Sequence, residues 1–495
     1  MTQLYKILQN VDIKAVVRGG NRLSAVPSDI TVSNIAFDSR EVGEGCLFVA
    51  QRGVHVDGHS YIASAIGLGA VAVLCEELPA ELCPDTTYIV TPDSSLSLGI
   101  VADNYYGHPS SQLSLVGVTG TNGKTTTATL LHTMMRSAGF HAGLISTIVN
   151  KIDERELPTH HTTPDALQLN SLLRQMVDAG CRYCFMEVSS HAVVQHRIAG
   201  LTFAGGIFSN ITHDHLDFHK TMAAYIAAKK GFFDALPATA FALTNKDDAN
   251  GMVMVQNTKA SVHTYSLDHP ADFKCRIVES TFSGTLLDLD GCEVWTRLVG
   301  RFNAYNLTAI YATATLCGME KAEALRLLSG LVPVDGRFQC IEHGGIAAIV
   351  DYAHTPDALQ NVINTINGVR GGDKRLIVVV GCGGDRDRSK RPEMAAIAAT
   401  GSDTLILTSD NPRTEDPEAI LDEMEAGLSA EQRQQALRIA DRRQAIRTAA
   451  RLAKRGDIIL IAGKGHETYQ EINGVRHHFD DREEIQNELS SLKPF

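Results

Sequence analysis

Apolar residues along the chain fall in short runs, each followed by Gly, Asn, Asp or Ser and then by a stretch with apolar positions three and four apart. Buried strand alternating with amphipathic helix is the pattern of mostly parallel sheets flanked by helices. Strand-like runs at 34–37, 47–50 and 70–75, with a helix around 61–65, form a first unit, 1–107, that ends in the linker Gly107-His108-Pro109-Ser110. A second unit, 111–335, continues the alternation up to a junction at Pro333 to Gly336. The third, 337–495, repeats strand and helix with strands at 347–350, 375–380, 404–408 and 458–461. The expected class is α/β in three domains.

Length agrees: 495 residues suit about three domains of ordinary size, each with its own core. A formal net charge of −12 argues against a nucleic-acid binder. No stretch is long and apolar enough to insert in a membrane, and residues 1–11 interleave Gln3, Lys6 and Gln9 with apolar positions, so a cytoplasmic location is expected. Of ten cysteines only Cys181 and Cys184 form a C-x-x-C, and the pair leads into a strand with no second pair to complete a zinc site; a structural role is expected.

Chemistry enters at residues 116–127. An apolar strand breaks into Gly120-Thr121-Asn122-Gly123-Lys124-Thr125-Thr126 and re-enters a helix carrying Leu130, Leu131, Met134 and Met135 until Gly139. Glycines let backbone N–H groups close on phosphate oxygens, the helix start favours the anion, Lys124 adds a point charge and the Thr125 hydroxyl can ligate magnesium. The first glycine of the standard P-loop is replaced by Val118, which leaves a shorter Gly-x-x-Gly-Lys-Thr form. Downstream, Glu187 near the end of an apolar strand is placed for a second magnesium ligand. Among His213, His215 and His219, His215 is assigned to the metal shell and the other two to structure. Asn245-Lys246-Asp247-Asp248 follows a strand as a guanine-reading motif would, so a GTP-driven switch is the rival class, opposed by the loop spacing. Asn303 and Asn306 share a helix face that can reach the nucleotide. In the third unit Gly384-Asp385-Arg386, Asp410-Asn411-Pro412-Arg413 and Gly463-Lys464-Gly465-His466-Glu467 each follow a strand and predict one pocket with two arginines and an acid. The glycines at 381–384 lack the third glycine of a dinucleotide fingerprint, because that position is Arg386.

The loop Thr119 to Thr126, with these motifs in this order from residue 37 to 467, resembles the Mur ligases, which build the peptidoglycan precursor, and the related folylpolyglutamate synthetases. The resemblance implies a P-loop central parallel-sheet domain and a Rossmann-like C-terminal domain, with ATP and Mg2+ as cofactors. It implies that Phe37, Ser39 and the backbone of Val54, His55 and Val56 hold the uridine end of the substrate. Thr162, Thr163, Ser189, Gln195 and Arg197 match positions that hold a muramoyl dipeptide, while His161 departs from an Asn found in relatives. Arg337, Asp351 and His354 match the ATP side of the third domain. Lys229, in Tyr225-x-x-x-Lys229 and fourteen residues after His215, matches a lysine that the family carries as N6-carboxylysine, a further magnesium ligand; Lys230 does not fit the spacing.

Within the family the implied reaction is ATP-driven amide formation on UDP-MurNAc-L-Ala-D-Glu with meso-diaminopimelate as the amine. Arg413 and Arg386 would meet the distal carboxylate and Glu467 the distal ammonium, with Asp410, Asn411, Pro412 and Gly463 shaping the pocket. The lysine-adding sister ligase and a folylpolyglutamate synthetase are the nearest alternatives. The expected assembly is a monomer.

Overall fold

Strand Leu376–Val380, Leu-Ile-Val-Val-Val, is buried at all five positions because helices cover both faces of its sheet. Its residues alternate: Val378 and Val380 pack with the helices Pro356–Val369, Lys390–Gly401 and Pro417–Glu425, while Ile377 and Val379 pack with Arg442–Leu452 and Asp481–Ser491. The same logic builds the rest of the chain, which a computed structural model describes over residues 1–53, 56–159 and 161–491.

Three main sheets carry the architecture, in the α/β class. The first has six strands in the order Asn21–Leu23, Ala15–Arg18, Thr87–Val90, Ala70–Cys75, Cys46–Val49, Ile35–Ala36. The central sheet has eleven strands, parallel from Ala142–Ile145 through Tyr183–Glu187, Ser114–Thr119, Gly205–Phe208, Phe241–Asn245 and Ser261–Ser266 to Phe273–Thr281. Antiparallel wings extend it at both edges: Asn150–Ile152 and Arg155–Leu157 at one, Gly284–Leu289 and Cys292–Thr296 at the other. The third sheet has six strands, parallel except for the edge strand Gln339–His343.

Burial explains the central helices. Leu130, Leu131, Met134 and Met135 of Lys124–Ser137 pack with Val116 and Val118 and with Leu307 and Ile310 of Arg301–Leu316 on one sheet face. Tyr225, Phe232 and Phe233 of Met222–Asp234 join Leu115, Met186 and Phe208 on the other. Full burial of each such side chain stabilises the fold by roughly 1.5–3 kcal/mol before entropy is counted. Cys181 and Cys184 are buried free thiols in this core, in line with the structural reading. Among the described residues no helix is long and apolar enough to cross a membrane.

Candidate active site

The phosphate loop joins the strand Ser114–Thr119 to the helix Lys124–Ser137, with two glycines where no other residue fits. Gly120 has φ 148° and a Cβ there would lie 2.0 Å from Ser209 Oγ; Gly123 has φ 88° and a Cβ would lie 2.4 Å from Asn306 Oδ1. Neighbouring groups hold the loop: Asn122 N–H donates to Asn210 Oδ1 (2.9 Å), and Ser209 Oγ donates to the Asn122 carbonyl (2.6 Å). Lys124 Nζ donates to the carbonyls of Gly120 (3.0 Å) and Thr121 (2.8 Å), and burial lowers its pKa.

Two cavities meet at this loop. The smaller, about 310 Å³, is lined by Asn122, Gly123, Thr126, Asn210, Asp247, Arg301, Tyr305, Asn306, Asp351 and Asp357 among others. The larger, about 470 Å³, runs from Thr162, Thr163, Ser189 and Arg197 past Lys124, Thr125, Glu187, His215 and Lys229 to Arg386, Asp410, Asn411, Arg413, Gly463 and Glu467. Asn122, Gly123, Arg337, Tyr352 and His354 line both and form the wall between them.

Three groups in the larger cavity suit a hydrated divalent cation and its chemistry. Glu187 ends its strand buried, with Oε1 accepting from Thr147 N–H (2.7 Å) and Oε2 buried without a partner. An orphaned carboxylate oxygen of this kind costs stability unless a cation or water meets it. His215, in left-handed backbone (φ 55°), has a pKa pushed down by burial first and then by Lys124 and Lys229, against the pull of Asp214, so its imidazole stays neutral and able to ligate. Lys229 is 1 % exposed, donates to the Gly120 carbonyl (2.7 Å) and sits 4.7 Å from the Tyr225 ring centroid. Burial first, then Lys124, holds its pKa well below that of an ordinary lysine. Lys230 instead pairs with Asp234 (2.6 Å) on the helix surface. His219 is buried against Ser190 Oγ (2.8 Å), and His213 faces Asp387 of the third unit at 3.7 Å.

At one end of the larger cavity, Thr163 Oγ1 donates to the Glu187 carbonyl (2.8 Å), Thr162 Oγ1 accepts from Thr147 Oγ1 (3.0 Å), and Arg197 is braced by Gln195 Oε1 (2.9 Å) and the Thr163 carbonyl (2.7 Å). Gln195 thus acts on the arginine. In the first unit Phe37 is packed on the core beside Ser39, which opens the one-turn helix Ser39–Glu41, and Val56 is exposed; Val54 and His55 lie outside the described residues.

The other end is built from three loops beyond the strands Leu376–Val380, Thr404–Leu407 and Ile458–Ala462. Arg413 has φ 52°, a conformation costing a non-glycine residue on the order of 1 kcal/mol. It is held there by its N–H to the Glu471 carbonyl (3.0 Å) and by Asn473 N–H to its own carbonyl (2.6 Å). Its Nη1 donates to the Gly384 carbonyl (2.6 Å); Glu415 is taken instead by the buried Arg391 (2.9 Å). Arg386 is exposed and, among the described residues, bonds the adjacent Asp385 carbonyl alone (3.2 Å). Glu467 Oε2 accepts from Asn411 Nδ2 (2.7 Å) and from Lys464 Nζ (3.1 Å).

The third unit closes on the loop. Arg337 Nη2 donates to Thr125 Oγ1 (3.2 Å) and its guanidinium lies 4.6 Å from the Tyr352 ring centroid. Asn122 Nδ2 donates to Asp357 Oδ2 (2.8 Å). Asp351 accepts from Phe338 N–H (2.6 Å) and burial raises its pKa to about 6; His354, kept near 4 by burial, bonds the Tyr352 carbonyl (2.9 Å).

Asn306 lines the smaller cavity, but Asn303 sits behind it, its amide donating to the Val299 carbonyl (2.9 Å) and its Oδ1 accepting from Asn306 (3.2 Å). Asp247 is consumed by Ser266 Oγ (2.6 Å), Leu267 N–H (2.7 Å), His269 (2.6 Å) and Tyr305 OH (2.9 Å), and Asp248, the acid a guanine reader would use, accepts from the backbone N–H groups of Ile211 (2.9 Å) and Asn250 (2.8 Å). Asp357 has no signal in the sequence, and Tyr352 and Lys464 lie within loop motifs without a role of their own; their contacts form only when loops far apart in the chain are brought together.

Family models match the chain in three segments: "Mur ligase family, catalytic domain" at 31–95, "Mur ligase middle domain" at 118–314 and "Mur ligase, glutamate ligase domain" at 336–465. UDP-N-acetylmuramoyl-L-alanyl-D-glutamate--2,6-diaminopimelate ligase of Bacteroides fragilis is 56% identical over 465 residues, 94% of this chain and 96% of that protein. The enzyme of the same name from Cytophaga hutchinsonii is 57% identical over 467 residues, again 94% and 96%. A solved structure bearing that enzyme name superposes with TM-score 0.70 at 33% identity, covering 99% of each chain. The MurF ligase from Thermotoga maritima in complex with ADP, 20% identical with TM-score 0.62 and covering 94% of this chain and 99% of that one, shares the fold.

Proposed function

Since the chain belongs to the Mur ligase family, we propose that it is the ATP-dependent ligase that joins meso-2,6-diaminopimelate to UDP-N-acetylmuramoyl-L-alanyl-D-glutamate in peptidoglycan synthesis. One observation carries this reading beyond the family likeness: a single cavity runs from the dipeptide contacts, past the phosphate loop, to an arginine and a carboxylate at its far end.

On this reading the unit 1–107 holds the uridine end, 111–335 binds ATP and 337–495 brings the amino acid. The adenosine of ATP occupies the smaller cavity, with Asn306, Arg337, Asp351 and His354 around it and the phosphates over Gly120 to Thr126. Thr162, Thr163, Ser189 and Arg197 orient the D-glutamyl carboxylate toward the γ-phosphate. An oxygen of that carboxylate forms a bond to the γ-phosphorus while the bridging P–O bond breaks, giving an acyl phosphate and ADP. The diaminopimelate amine then attacks the acyl carbon, the C–N bond forms and phosphate leaves. Lys124 balances charge on the transferring group, and closure of the third unit, tied by Arg337 to Thr125 and by Asn122 to Asp357, excludes water and aligns the amine.

Glu187, His215 and Thr125 would hold magnesium, which when bound neutralises phosphate charge. The amine of Lys229, short of its proton, is suited to add carbon dioxide: nitrogen bonds to carbon, one proton is released, and the carbamate supplies a further carboxylate ligand. Incubating the protein with ATP, the UDP-linked dipeptide and either diaminopimelate or L-lysine, with ADP release and product mass followed, tests the assignment. Diaminopimelate should be ligated at least about a hundredfold more efficiently than lysine; equal use of both would favour the sister ligase.

A further inference from the structure

Under the amino-acid end of the large cavity lies a cation that the reading above leaves without a task. Lys464 is 0 % exposed although it sits between two glycines just beyond the strand Ile458–Ala462. Its Nζ contacts Glu467 Oε2 and Asn411 Oδ1, each at 3.1 Å, and lies 5.5 Å from the Tyr469 ring centroid. The backbone N–H of Glu471 meets the same Asn411 oxygen at 2.9 Å.

These contacts fix an orientation. An ammonium and a backbone N–H are donors only, so the Asn411 side-chain atom facing both must be its oxygen. The amide nitrogen is thereby turned to Glu467 Oε2, 2.7 Å away, with its second N–H left over among the described residues. Glu467 Oε2 then carries two donors, and no described donor bonds Oε1, while both Glu467 and Asn411 line the cavity. Burial first and Asp410 next push the Glu467 carboxyl up, and Lys464, followed by the Asn411 amide, opposes them. The other charged and titratable groups around it are Arg442, itself paired with Asp481, and Tyr352 and Tyr469.

We propose that Lys464 is a positioning residue for amino-acid recognition: it locks the Asn411 amide and one oxygen of Glu467, so that Glu467 Oε1 faces a substrate ammonium and the spare Asn411 N–H faces a substrate carboxylate. A neutral side chain in its place frees the amide to turn over and leaves Glu467 and Asp410 facing each other without a cation. The ligand class is an amino acid whose ammonium and carboxylate share one carbon, as at the distal centre of diaminopimelate. This inference rests on the proposed ligase activity and deepens it.

The test is steady-state kinetics on Lys464→Met, Glu467→Gln and the double variant, beside the unmutated enzyme. Lys464→Met should raise KM for meso-diaminopimelate about tenfold or more and leave KM for ATP and for the UDP-linked dipeptide within about twofold. In the Glu467→Gln background it should add less than about threefold, because both act on one contact. Unchanged KM for diaminopimelate, an equal rise in all three constants, or full multiplicativity in the double variant would overturn the proposal. If the methionine variant melts below the assay temperature, Lys464→Gln, which keeps a donor without the charge, is measured with the same expectation; failure of both to fold marks a purely structural lysine and also overturns it. Failure of the unmutated enzyme to ligate diaminopimelate sinks the ligase assignment, an outcome read before any variant is compared.

Discussion

Lys229 and Lys464 are both shut away from solvent, one on the phosphate side of the cavity and one beneath its amino-acid end, and they differ in company. Lys229 has a backbone carbonyl and an aromatic ring within reach and no carboxylate in hydrogen-bond contact among the described residues, so burial first and Lys124 next lower its pKa against the weaker pull of Asp214. Lys464 has a carboxylate at 3.1 Å. Burial alone therefore assigns no role to a lysine; its first charged neighbour does. Without an acid the buried amine becomes a nucleophile, and with one it becomes half of an ion pair that holds other groups still.

The strongest way to break the contrast is to remove the unpaired amine. Lys229→Ala should lower kcat by about a thousandfold, with part of the loss restored by added short-chain carboxylates that occupy the space of a carbamate. Lys230→Ala, which loses only a pair with Asp234, should change activity less than about twofold. Reversed phenotypes would mean that the wrong lysine carries the chemistry.

On the amino-acid side, Arg413→Ala should raise KM for meso-diaminopimelate about a hundredfold, since a substrate carboxylate loses its bidentate partner, and leave KM for ATP nearly unchanged. A matching rise in KM for ATP would show that the two ends do not work separately.

Acid gives the smallest and most graded separation. His132, on the helix that follows the phosphate loop, is 5 % exposed, its Nε2 meets the Asp153 carbonyl (3.1 Å), and burial pushes its pKa down to about 4 from 6.5. A depressed value of this kind contributes stability that is complete above pH 6.5 and lost as pH falls through about 4, up to roughly 3 kcal/mol. Unfolding measured from pH 7 to pH 4 should show that loss, and His132→Gln should flatten it.

The phosphate side is legible in the sequence because its parts are adjacent: strand, two glycines, Lys124 and Thr125 read as one sentence of chain. The parallel strands are legible for a similar reason, being apolar on both faces, and Ala70–Cys75 coincides with its predicted run. The meander of Phe273–Thr281, Gly284–Leu289 and Cys292–Thr296 is not, because its positions alternate between buried and exposed and its pairing depends on turns rather than on apolar runs. Asn303 is misread since helical spacing places two asparagines on one face without saying which stands in front. Lys464 stands in its loop motif without a role of its own, because its contact with Asn411, far away in the chain, is supplied only by folding.

The five residues common to both cavities have a pharmacological consequence. On the proposed assignment, Asn122, Gly123, Arg337, Tyr352 and His354 form a partition with an adenosine mimic in the smaller cavity and an amino-acid mimic in the larger. A tether crossing it would turn two weak inhibitors into one, with the gain set by how well the linker spans the gap. Arg337 is the lintel of that passage, held at Thr125 on one side and stacked on Tyr352 on the other, so the linker chemistry best matched to it is anionic and short.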